Sequence, residues 1–313
     1  MANEIKFTLD FDQDPAIFLR ASVAKLKDFR IISKSLDARG APKGKKPKYH
    51  YIAHYILEGE EFSSPQREFP FIATSAKPII IGMGPAGLFA ALRLLEYGIK
   101  SILFERGEST DNRMVKIAKY WRYGEFDEDT NVCYGEGGAG LYSDGKLVTR
   151  VKSDHISYIM ARLVDFGAPK EVAYEANPHL GSNKMRGIIK NLTEFLEQKG
   201  CEIHYNSKVD KLLFEGNKVI GVESKEQKYF SSQIILAPGH SPKELFEHLL
   251  ENNVQLKEKN FAIGVRIEHP RFAIDQMQYG PYQGDLIGAA RYRLSYHDPS
   301  LNVGTYSFCM CPG

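Results

Sequence analysis

Residues 77–107 constrain the fold of this chain more than any other stretch, because a short apolar run (78–81), three spaced glycines, a helical pattern (85–97) and a second apolar run (101–104) follow one another there. Gly82, Gly84 and Gly87 stand in G-x-G-x-x-G spacing. In such a motif the first glycine allows a tight turn, the second lets a pyrophosphate approach the backbone, and the third lets the helix pack on the sheet. The stretch therefore predicts a β-α-β unit that binds a dinucleotide.

The residues around these glycines extend the predicted site. Pro85 and Ala86 begin the predicted helix, whose free amides and dipole favour phosphate binding. Glu105 ends the second apolar run, about 20 residues after the first glycine, where an acid would hydrogen-bond a ribose hydroxyl. Arg106 is placed to cover the adenine or ribose, or else to be a surface arginine. The alternative, a β-α-β turn with incidental glycines, leaves Glu105 unexplained.

Composition limits the class of protein. The chain has 313 residues, 43% of them hydrophobic and 26% charged, which is typical of a soluble globular protein. Its net charge of +2 favours no particular partner. No apolar run approaches the roughly 18 residues of a membrane span, and the first residues do not resemble a signal peptide. Four cysteines in a chain of this length do not form a disulfide framework, so the sequence predicts a cytoplasmic protein without a membrane partner.

The first 70 residues are predicted to form a small α+β domain. Apolar and polar residues alternate over 5–11, apolar residues recur at helical spacing over 15–26, and strand-like runs follow at 29–36 and 49–57. This order predicts a β-α-β-β domain, separate from the nucleotide-binding domain.

A basic loop lies between the last two of these strands, at residues 39–48. It contains no acid but five cations, namely Arg39, Lys43, Lys45, Lys46 and Lys48. Such a cluster could contact RNA or another polyanion. We favour the alternative, a solvated hairpin loop, because the surplus charge is local and the whole chain is nearly neutral.

The chain then departs from a simple NAD-binding domain. Residues 108–150 form a long excursion with a predicted helix at 113–123 and a glycine-rich loop, in which Gly135, Gly137, Gly138, Gly140 and Gly145 fall close together. So many glycines predict an irregular segment whose backbone approaches a pyrophosphate or a flat ring. The alternative is a flexible surface loop, which rarely carries so many apolar residues.

The second half of the chain distinguishes FAD from NAD. Helices are predicted at 154–166, 182–199 and 242–252, and the second of them has Ser182 as its predicted N-cap and Gly200 after its end. Strands are predicted at 202–205, 208–214, 218–224, 228–230 and 233–237. Gly216 would turn a hairpin between two of the strands. FAD-binding domains of the glutathione-reductase type insert such an antiparallel β meander before a buried return strand. Val209 would then meet the adenine edge, and Ala237 and Gly239 would end the return strand.

Several motifs together resemble one family. They are GMGPAGLFAALRLLEYG, GEGGAGLYSDGKL, LAPGHS, FAIGVRIEHP and SFCMCPG. These motifs are similar to those of the largely uncharacterised bacterial FAD-dependent (NAD(FAD)-utilising) dehydrogenases. The resemblance covers the whole chain. It implies an α/β fold with an FAD/NAD(P)-binding Rossmann-like domain, FAD in an extended pose, and redox chemistry at its isoalloxazine ring, but no known substrate.

The resemblance also sets domain boundaries. It implies an incomplete FAD-binding domain at 77–260 and the start of a substrate domain at 261–313. Family domains close with a strand and a helix that carry an acid, and no such pattern occurs after residue 261. The family's last motif also normally continues, so we expect a C-terminally truncated chain, which puts FAD retention in doubt.

Catalytic candidates are few. If the glycine-rich loop faces the flavin, Ser143 would contact it and Lys146 would stabilise its reduced anionic form, although Asp-Gly is also a common turn pair. His240 is a candidate proton donor, or else a capping or core histidine. Arg266, in a strand predicted at 261–270, would clamp an acidic substrate or form a buried ion pair with Glu268 or another acid.

Cysteine spacing gives no further site. Cys309 and Cys311 form C-x-C, which is unusual for a thioredoxin-like dithiol and too sparse for zinc, so we predict no metal site. We favour packing of these small residues near the flavin ring over the alternative, a redox-active pair beside the flavin.

The sequence thus predicts an FAD-dependent oxidoreductase that exchanges hydride or electrons between flavin and an unidentified small organic substrate. The chain lacks a second strand–G-x-G-x-x-G–helix unit, so NAD(P)H would be at most a transient electron donor. Two alternatives stay open: an FAD-dependent enzyme that modifies nucleic acid through the basic loop, and a non-enzymatic flavin-binding scaffold. Nothing in the sequence predicts the oligomeric state.

Overall fold

A computed structural model describes the chain except for residues 1, 63–70, 143–146, 148–150, 176–179, 266, 283–286, 293 and 308–313. The chain divides into two compact units. The first unit comprises Met1–Pro65, Ala173–Asn177 and Phe261–Gly313, and the second comprises Gln66–Val172 and Pro178–Asn260. The three-domain division expected from the sequence stays a prediction, and each unit is described by itself.

The first unit begins with the β-α-β-β order expected from the sequence. Its elements are β1 (Asn3–Asp10), α1 (Pro15–Ser22), β2 (Leu26–Asp37) and β3 (Lys48–Leu57). The strands form an antiparallel sheet in the order β1-β3-β2. The Asp14 side chain accepts a hydrogen bond of 2.7 Å from the Ala16 amide and so caps α1.

The basic loop between β2 and β3 is partly neutralised by nearby acids. Arg39 forms a two-pronged hydrogen bond with the Asp37 carboxylate. Lys46 lies 2.8 Å from Asp12 and 3.6 Å from Asp10. These pairs reduce the surplus positive charge on which the nucleic-acid hypothesis depends.

The second unit contains most of the regular structure. In chain order its elements are β4 (Ile79–Ile81), α2 (Pro85–Glu96), β5 (Ile102–Phe104), α3 (Thr110–Tyr123), α4 (His155–Asp165), α5 (Ser182–Gln198), β6 (Glu202–His204), β7 (Lys211–Glu215), β8 (Lys218–Ser224), β9 (Gln227–Phe230), β10 (Ile234–Leu236) and α6 (Lys243–Glu251). Four strands form a parallel sheet in the order β10-β4-β5-β6, and β7-β8-β9 form an antiparallel meander. The Rossmann-like fold with an inserted meander, predicted from the sequence, is confirmed.

Strand β4 shows why the central sheet is buried on both faces. Ile80 packs against α2 and α5, whereas Ile79 and Ile81 pack against the meander and α6. Adjacent side chains of a strand point to opposite faces, so one continuous apolar run serves both layers. The sheet thereby fixes the carboxyl ends of β4, β5 and β10 side by side.

Some predicted boundaries were wrong. Helix α3 starts at Thr110, earlier than predicted, because the carboxylate of Glu136 accepts a hydrogen bond from the Thr110 amide and caps the helix from outside it. Gly181, at φ 74°, rather than Ser182, stands at the N-cap of α5. The return strand β10 lies at the sheet edge, so Leu236 is 42% exposed rather than buried.

The glycine-rich segment is not wholly irregular, and strand β7 is shorter than predicted. The described part of the glycine-rich segment includes a short 3₁₀ helix, Ala139–Tyr142. The meander strand β7 begins at Lys211 instead of residue 208, and residues 208 and 209 line the cavity described below.

The last part of the first unit differs more from expectation. It contains α7 (Arg271–Tyr279) and an antiparallel hairpin of β11 (Ser295–Asp298) and β12 (Val303–Tyr306), which the sequence analysis did not predict. The strand predicted at 261–270 was wrong for the residues there that the structure describes, which form no strand. Their apolar residues alternate, but Ile263 is 90% exposed, and none of the described strands pairs with this segment.

Among the residues that the structure describes, no helix is both long enough and apolar enough to cross a membrane.

Candidate functional site

A cavity of about 420 Å³ lies at the carboxyl edge of the parallel sheet, within the second unit. Ligands of open α/β sheets bind at this edge, and the volume is in the range of small-molecule sites. Its walls come from the ends of β4, β5 and β10, the first turns of α2 and α6, and the glycine-rich loop. Predicted site residues in the lining are Gly82, Gly84, Pro85, Ala86, Glu105, Arg106, Gly138, Gly140, Val209, Ala237, Gly239 and His240.

The first glycine motif shapes the cavity by close backbone contacts. Gly82 has φ 100°, and a Cβ there would collide with the Ala237 carbonyl oxygen at the end of β10. A Cβ on Gly87 would collide with the Gly82 carbonyl oxygen and lie 3.3 Å from Ile80. Gly87 is not part of the cavity lining. Its position serves the packing of α2 on the sheet.

Backbone amides converge on the cavity from two walls. The amides of Gly84 and Ala86 stand at the start of α2, and the amide of Ala139 starts the 3₁₀ helix opposite. Within the described chain none of the three has a hydrogen-bond acceptor. The walls nearly touch, since a Cβ on Gly138 would lie 2.9 Å from the Gly84 Cα. Convergent free amides of this kind form an anion-binding cradle.

Glu105 lines the cavity, but its carboxylate is already engaged by the protein. The residue is only 5% exposed. One oxygen accepts the Met83 amide at 2.9 Å, and the other accepts the amides of Gly107 and Gly135, each at 3.0 Å. A carboxylate offers about four lone-pair positions, so one stays available for a ligand hydroxyl. The acid therefore holds the glycine-rich loop and also lines the cavity, whereas its contact with a ribose stays a prediction.

Arg113, on α3, holds the wall of this site, although the sequence predicted no role for it. It is fully buried, and its guanidinium stands 4.7 Å from the Tyr142 ring centre. Its nitrogens lie 2.7–3.2 Å from five backbone carbonyl oxygens, those of Asn131, Val132, Gly135, Glu136 and Gly138. Nη1 donates to the last three with two hydrogens, so one of these hydrogens is shared between two carbonyls. Burial lowers the pKa of this arginine, but a guanidinium keeps its charge in proteins. An arginine within a helical pattern gives no sequence signal for such a role.

Further bonds fix the same loop. The Gly137 amide donates to the Met83 carbonyl at 2.9 Å, and Gly137, although predicted to bind cofactor, is absent from the cavity lining. The Asn131 side chain accepts the amides of Cys133 and Tyr134. The described part of the loop is therefore held at almost every residue, which argues against the flexible-loop alternative.

A chain of charges crosses one end of the cavity. Arg106 hydrogen-bonds Asp129 at 2.6 Å and Glu244 at 2.9 Å, and its guanidinium stacks 4.0 Å from the Tyr134 ring centre. Lys208 lies 2.9 Å from Glu244. Arg106 is thus held between two acids rather than free at the surface, and its predicted contact with the adenine or ribose stays a prediction.

Glu244 is the acid at the centre of this charge chain. Burial acts to raise its pKa, but a backbone hydrogen bond and a hydrogen bond from Lys208, with the charges of Arg106 and Lys208, outweigh burial and hold the pKa at about 2. The carboxylate is therefore ionised throughout the neutral range.

The remaining candidates are placed unevenly. His240 lines the cavity and is exposed, with its ring nitrogen 3.4 Å from the Ser241 hydroxyl. Cys133 also lines the cavity as an exposed free thiol, which the sequence analysis did not single out. The predicted roles of Ser143, Lys146, Arg266, Cys309 and Cys311 concern positions outside the described residues.

Family comparisons agree with this architecture. Residues 76–264, more than half of the chain, match the family described as pyridine nucleotide-disulphide oxidoreductase. Residues 260–313 match the family described as FAD-dependent protein, C-terminal domain-like.

Individual relatives were also found. An uncharacterized protein of Clostridium beijerinckii is 43% identical over 239 residues, which are 76% of this chain and 45% of that protein. The Escherichia coli (strain K12) protein described as "Probable electron transfer flavoprotein-quinone oxidoreductase YdiS" is 28% identical over 166 residues, 51% of this chain and 36% of that protein. The chain thus spans less than half the length of these curated relatives. Among solved structures, an L-amino acid deaminase from Proteus vulgaris aligns with a TM-score of 0.37 and 11% identity, over 61% of each chain.

Proposed function

This chain belongs to the pyridine nucleotide-disulphide oxidoreductase family, and from that premise we propose that its cavity holds FAD for an oxidoreductase that acts on a small organic substrate. The observation that carries the proposal is the two-walled cradle of free amides at Gly84, Ala86 and Ala139. A pyrophosphate is the part of a dinucleotide that such a cradle fits.

The residues of the cavity fit the cofactor. Side chains are missing where the backbones approach most closely, at Gly82 and Gly138, so a flat or phosphorylated group meets main chain rather than Cβ atoms. Glu105 has an acceptor position left for a ribose hydroxyl. Val209, buried and part of the lining, offers its backbone to an adenine edge. We propose these residues, with Ala237 and Gly239 at the end of β10, as the cofactor contacts.

Bound FAD would supply hydride or electron transfer. The protein's own residues bind and orient it. The amides of α2 and the 3₁₀ helix neutralise phosphate charge, Glu105 fixes the ribose, and the charge chain from Asp129 to Lys208 closes one end of the cavity. NAD(P)H is proposed as a transient electron donor. His240, exposed in the lining, is the proposed proton donor.

Flavin binding is the first test. The full chain is mixed with FAD, passed over a desalting column, and its spectrum recorded; we expect a retained yellow chromophore. Gly84→Val should abolish retention, because φ −71° and ψ −179° suit valine while its methyl groups would fill the space that the pyrophosphate needs. Gly187→Val, on the exposed surface of α5, is the matched control. Normal flavin content in Gly84→Val would show that the pyrophosphate lies elsewhere.

The redox role is tested separately. The flavin-loaded protein is treated anaerobically with NADH, with NADPH and with a panel of small organic donors, and the flavin absorbance is followed. Bleaching by any of them supports the oxidoreductase. A flavin that no donor bleaches, although dithionite does, would instead favour a flavin-binding scaffold.

A further inference from the structure

We propose that Arg113 is a positioning residue for the dinucleotide site: its guanidinium turns the Gly138–Ala139 peptide so that the Ala139 amide donates to a phosphate oxygen. The inference deepens the proposed function and rests on it for the identity of the ligand. Arg113 itself would touch no part of that ligand.

The hydrogen-bond partners of Arg113 are unusual for a buried arginine. A buried arginine ordinarily pairs with a carboxylate, and Glu105 and Glu136 are both buried in the same region. Within the described chain, however, every hydrogen bond from Arg113 goes to a main-chain carbonyl. The two acids accept backbone amides instead, Glu105 from Gly135 and Glu136 from Thr110. The three charges are therefore arranged to hold main chain rather than one another.

Arg113 fixes the orientation of the Gly138–Ala139 peptide group. The Gly138 carbonyl oxygen accepts a hydrogen bond of 2.9 Å from Arg113. In a planar trans peptide, the N–H of the next residue points opposite to the carbonyl, and the described chain contains no cis bond. The Ala139 N–H therefore points away from Arg113, and both Gly138 and Ala139 line the cavity.

The Ala139 amide follows a residue that lies against the start of α2. Gly138 lies against Gly84, the N-cap of α2, closely enough that a Cβ on Gly138 would come within 2.9 Å of the Gly84 Cα. The Ala139 amide thus faces the same space as the free amides of α2, from the opposite wall. Without Arg113, the only described hydrogen bond to the Gly138 carbonyl oxygen would be one of 3.3 Å from the Leu141 amide. The carbonyl would then no longer be held on the side away from the cavity.

An arginine that orients the Ala139 amide differs from one that only stabilises the loop in its effect on ligand binding. A residue that only stabilises the loop should affect all ligands of the cavity alike. A residue that aims one amide at a phosphate should affect phosphorylated ligands and spare a ligand without phosphate. A positive charge at position 113 should not be enough for this role. A lysine there would keep the charge, but its ammonium lacks the planar guanidinium fork that reaches several carbonyls at once.

The experiment measures dissociation constants of FAD, ADP and adenosine for the full chain by calorimetry. We expect Arg113→Met to weaken FAD and ADP by about tenfold or more, the loss typical of one hydrogen bond to a charged group, while adenosine changes less than about twofold. The affinity of Arg113→Lys for FAD and ADP should fall between those of Arg113→Met and the wild type. Arg122→Met, an exposed arginine on the same helix, is the control of equal charge and should match the wild type for all three ligands.

Equal weakening of ADP and adenosine by Arg113→Met would overturn the inference, as would no weakening of either. Wild-type protein that binds neither FAD nor ADP would instead refute the proposed function. If Arg113→Met does not fold, hydrogen exchange of the wild type decides. ADP should slow exchange of the Ala139 amide at least about tenfold and adenosine should not; an amide that exchanges equally fast with and without ADP would overturn the inference.

Discussion

At the scale of single residues, the site depends on positions where a side chain must be absent. Gly138 combines φ 63° with close contact to the start of α2, whereas Gly140, two residues later in the same cavity wall, has neither constraint. The glycine pattern in the sequence treats the two alike. Only the fold distinguishes the glycine that is required from the one that is tolerated.

We therefore predict different outcomes for two alanine substitutions. Gly138→Ala should lower the free energy of unfolding by about 1–3 kcal/mol, because it places a Cβ in the left-handed region and against Gly84, and it should weaken FAD retention. Gly140→Ala should stay within about 0.5 kcal/mol of the wild type. Urea denaturation measures both, and equal values for the two variants would contradict the contact between the cavity walls.

Residue types with a strong local signal were predictable. Glu105 was found from its place after a strand, but its bonds to Met83 and Gly135 were not, because they join segments distant in the sequence. Arg113 was missed for the same reason, since its partners are carbonyls and carbonyls have no sequence signature. Its importance follows from where a loop returns, which periodicity does not encode.

At the scale of elements, helix α2 and the strand before it form the part of the site most dependent on close packing. The helix can approach the sheet only because Gly87 has no side chain. Helix α5 also contains a glycine, Gly187, but no neighbouring atom lies within 4 Å of where its Cβ would be. The two helices thus provide a matched comparison.

We predict opposite signs for alanine at these positions. Gly87→Ala should destabilise the protein by about 1–3 kcal/mol, as overpacking does, because the added Cβ would push α2 away from the sheet. Gly187→Ala should stabilise it by about 0.5–1 kcal/mol through better helix propensity. Thermal unfolding checks both signs. A stabilised Gly87→Ala variant would mean that α2 does not pack as described.

The elements that the sequence predicted well share a cause. Strands β4 and β5 and helix α2 are set by a continuous apolar run and by helical spacing, and their bounds match within about two residues. The strand predicted at 261–270 failed, because alternation specifies which face is apolar but cannot supply a partner strand. The start of α3 was misplaced, since its cap, Glu136, comes from outside the helix.

At the scale of the whole molecule, pH should affect stability through the charge chain at the end of the cavity. Glu244 joins Arg106 to Lys208 and links α6 to the loop after β6. Its pKa is about 2 in the folded protein against 4.5 for an unperturbed group. A depressed folded pKa stabilises the protein above the unfolded pKa, and this contribution is lost as the pH falls from 4.5 toward 2.

The prediction concerns the slope of stability against pH. At pH 7 the wild type should be more stable than Glu244→Gln, by no more than about 1 kcal/mol because the side chain is partly exposed. This difference should shrink between about pH 5 and 3, which is roughly the range in which the unfolded group titrates. Glu247→Gln, on the outer face of α6, is the control and should show a nearly constant difference. Urea titrations at several pH values measure it, and a difference that grows as the pH falls would contradict the assignment.

The overall architecture was predictable from the order of elements, whereas the contents of the cavity were only partly so. The order of a β-α-β unit, a meander and a return strand specifies the Rossmann-like fold with few alternatives. The charge chain from Asp129 through Arg106 to Lys208 joins four separate segments, and nothing in the local sequence of any one of them indicates the others.

The hydrogen bonds from Arg113 to the glycine-rich loop also limit which insertions and deletions this protein can accept during evolution. Loops ordinarily accept insertions and deletions. Here one guanidinium binds carbonyls at fixed positions between Asn131 and Gly138, so a single added or lost residue would shift all later carbonyls out of reach. Homologous sequences that keep this arginine should therefore vary in the identity of exposed residues such as Val132 and Cys133, yet keep the number of residues in the loop constant.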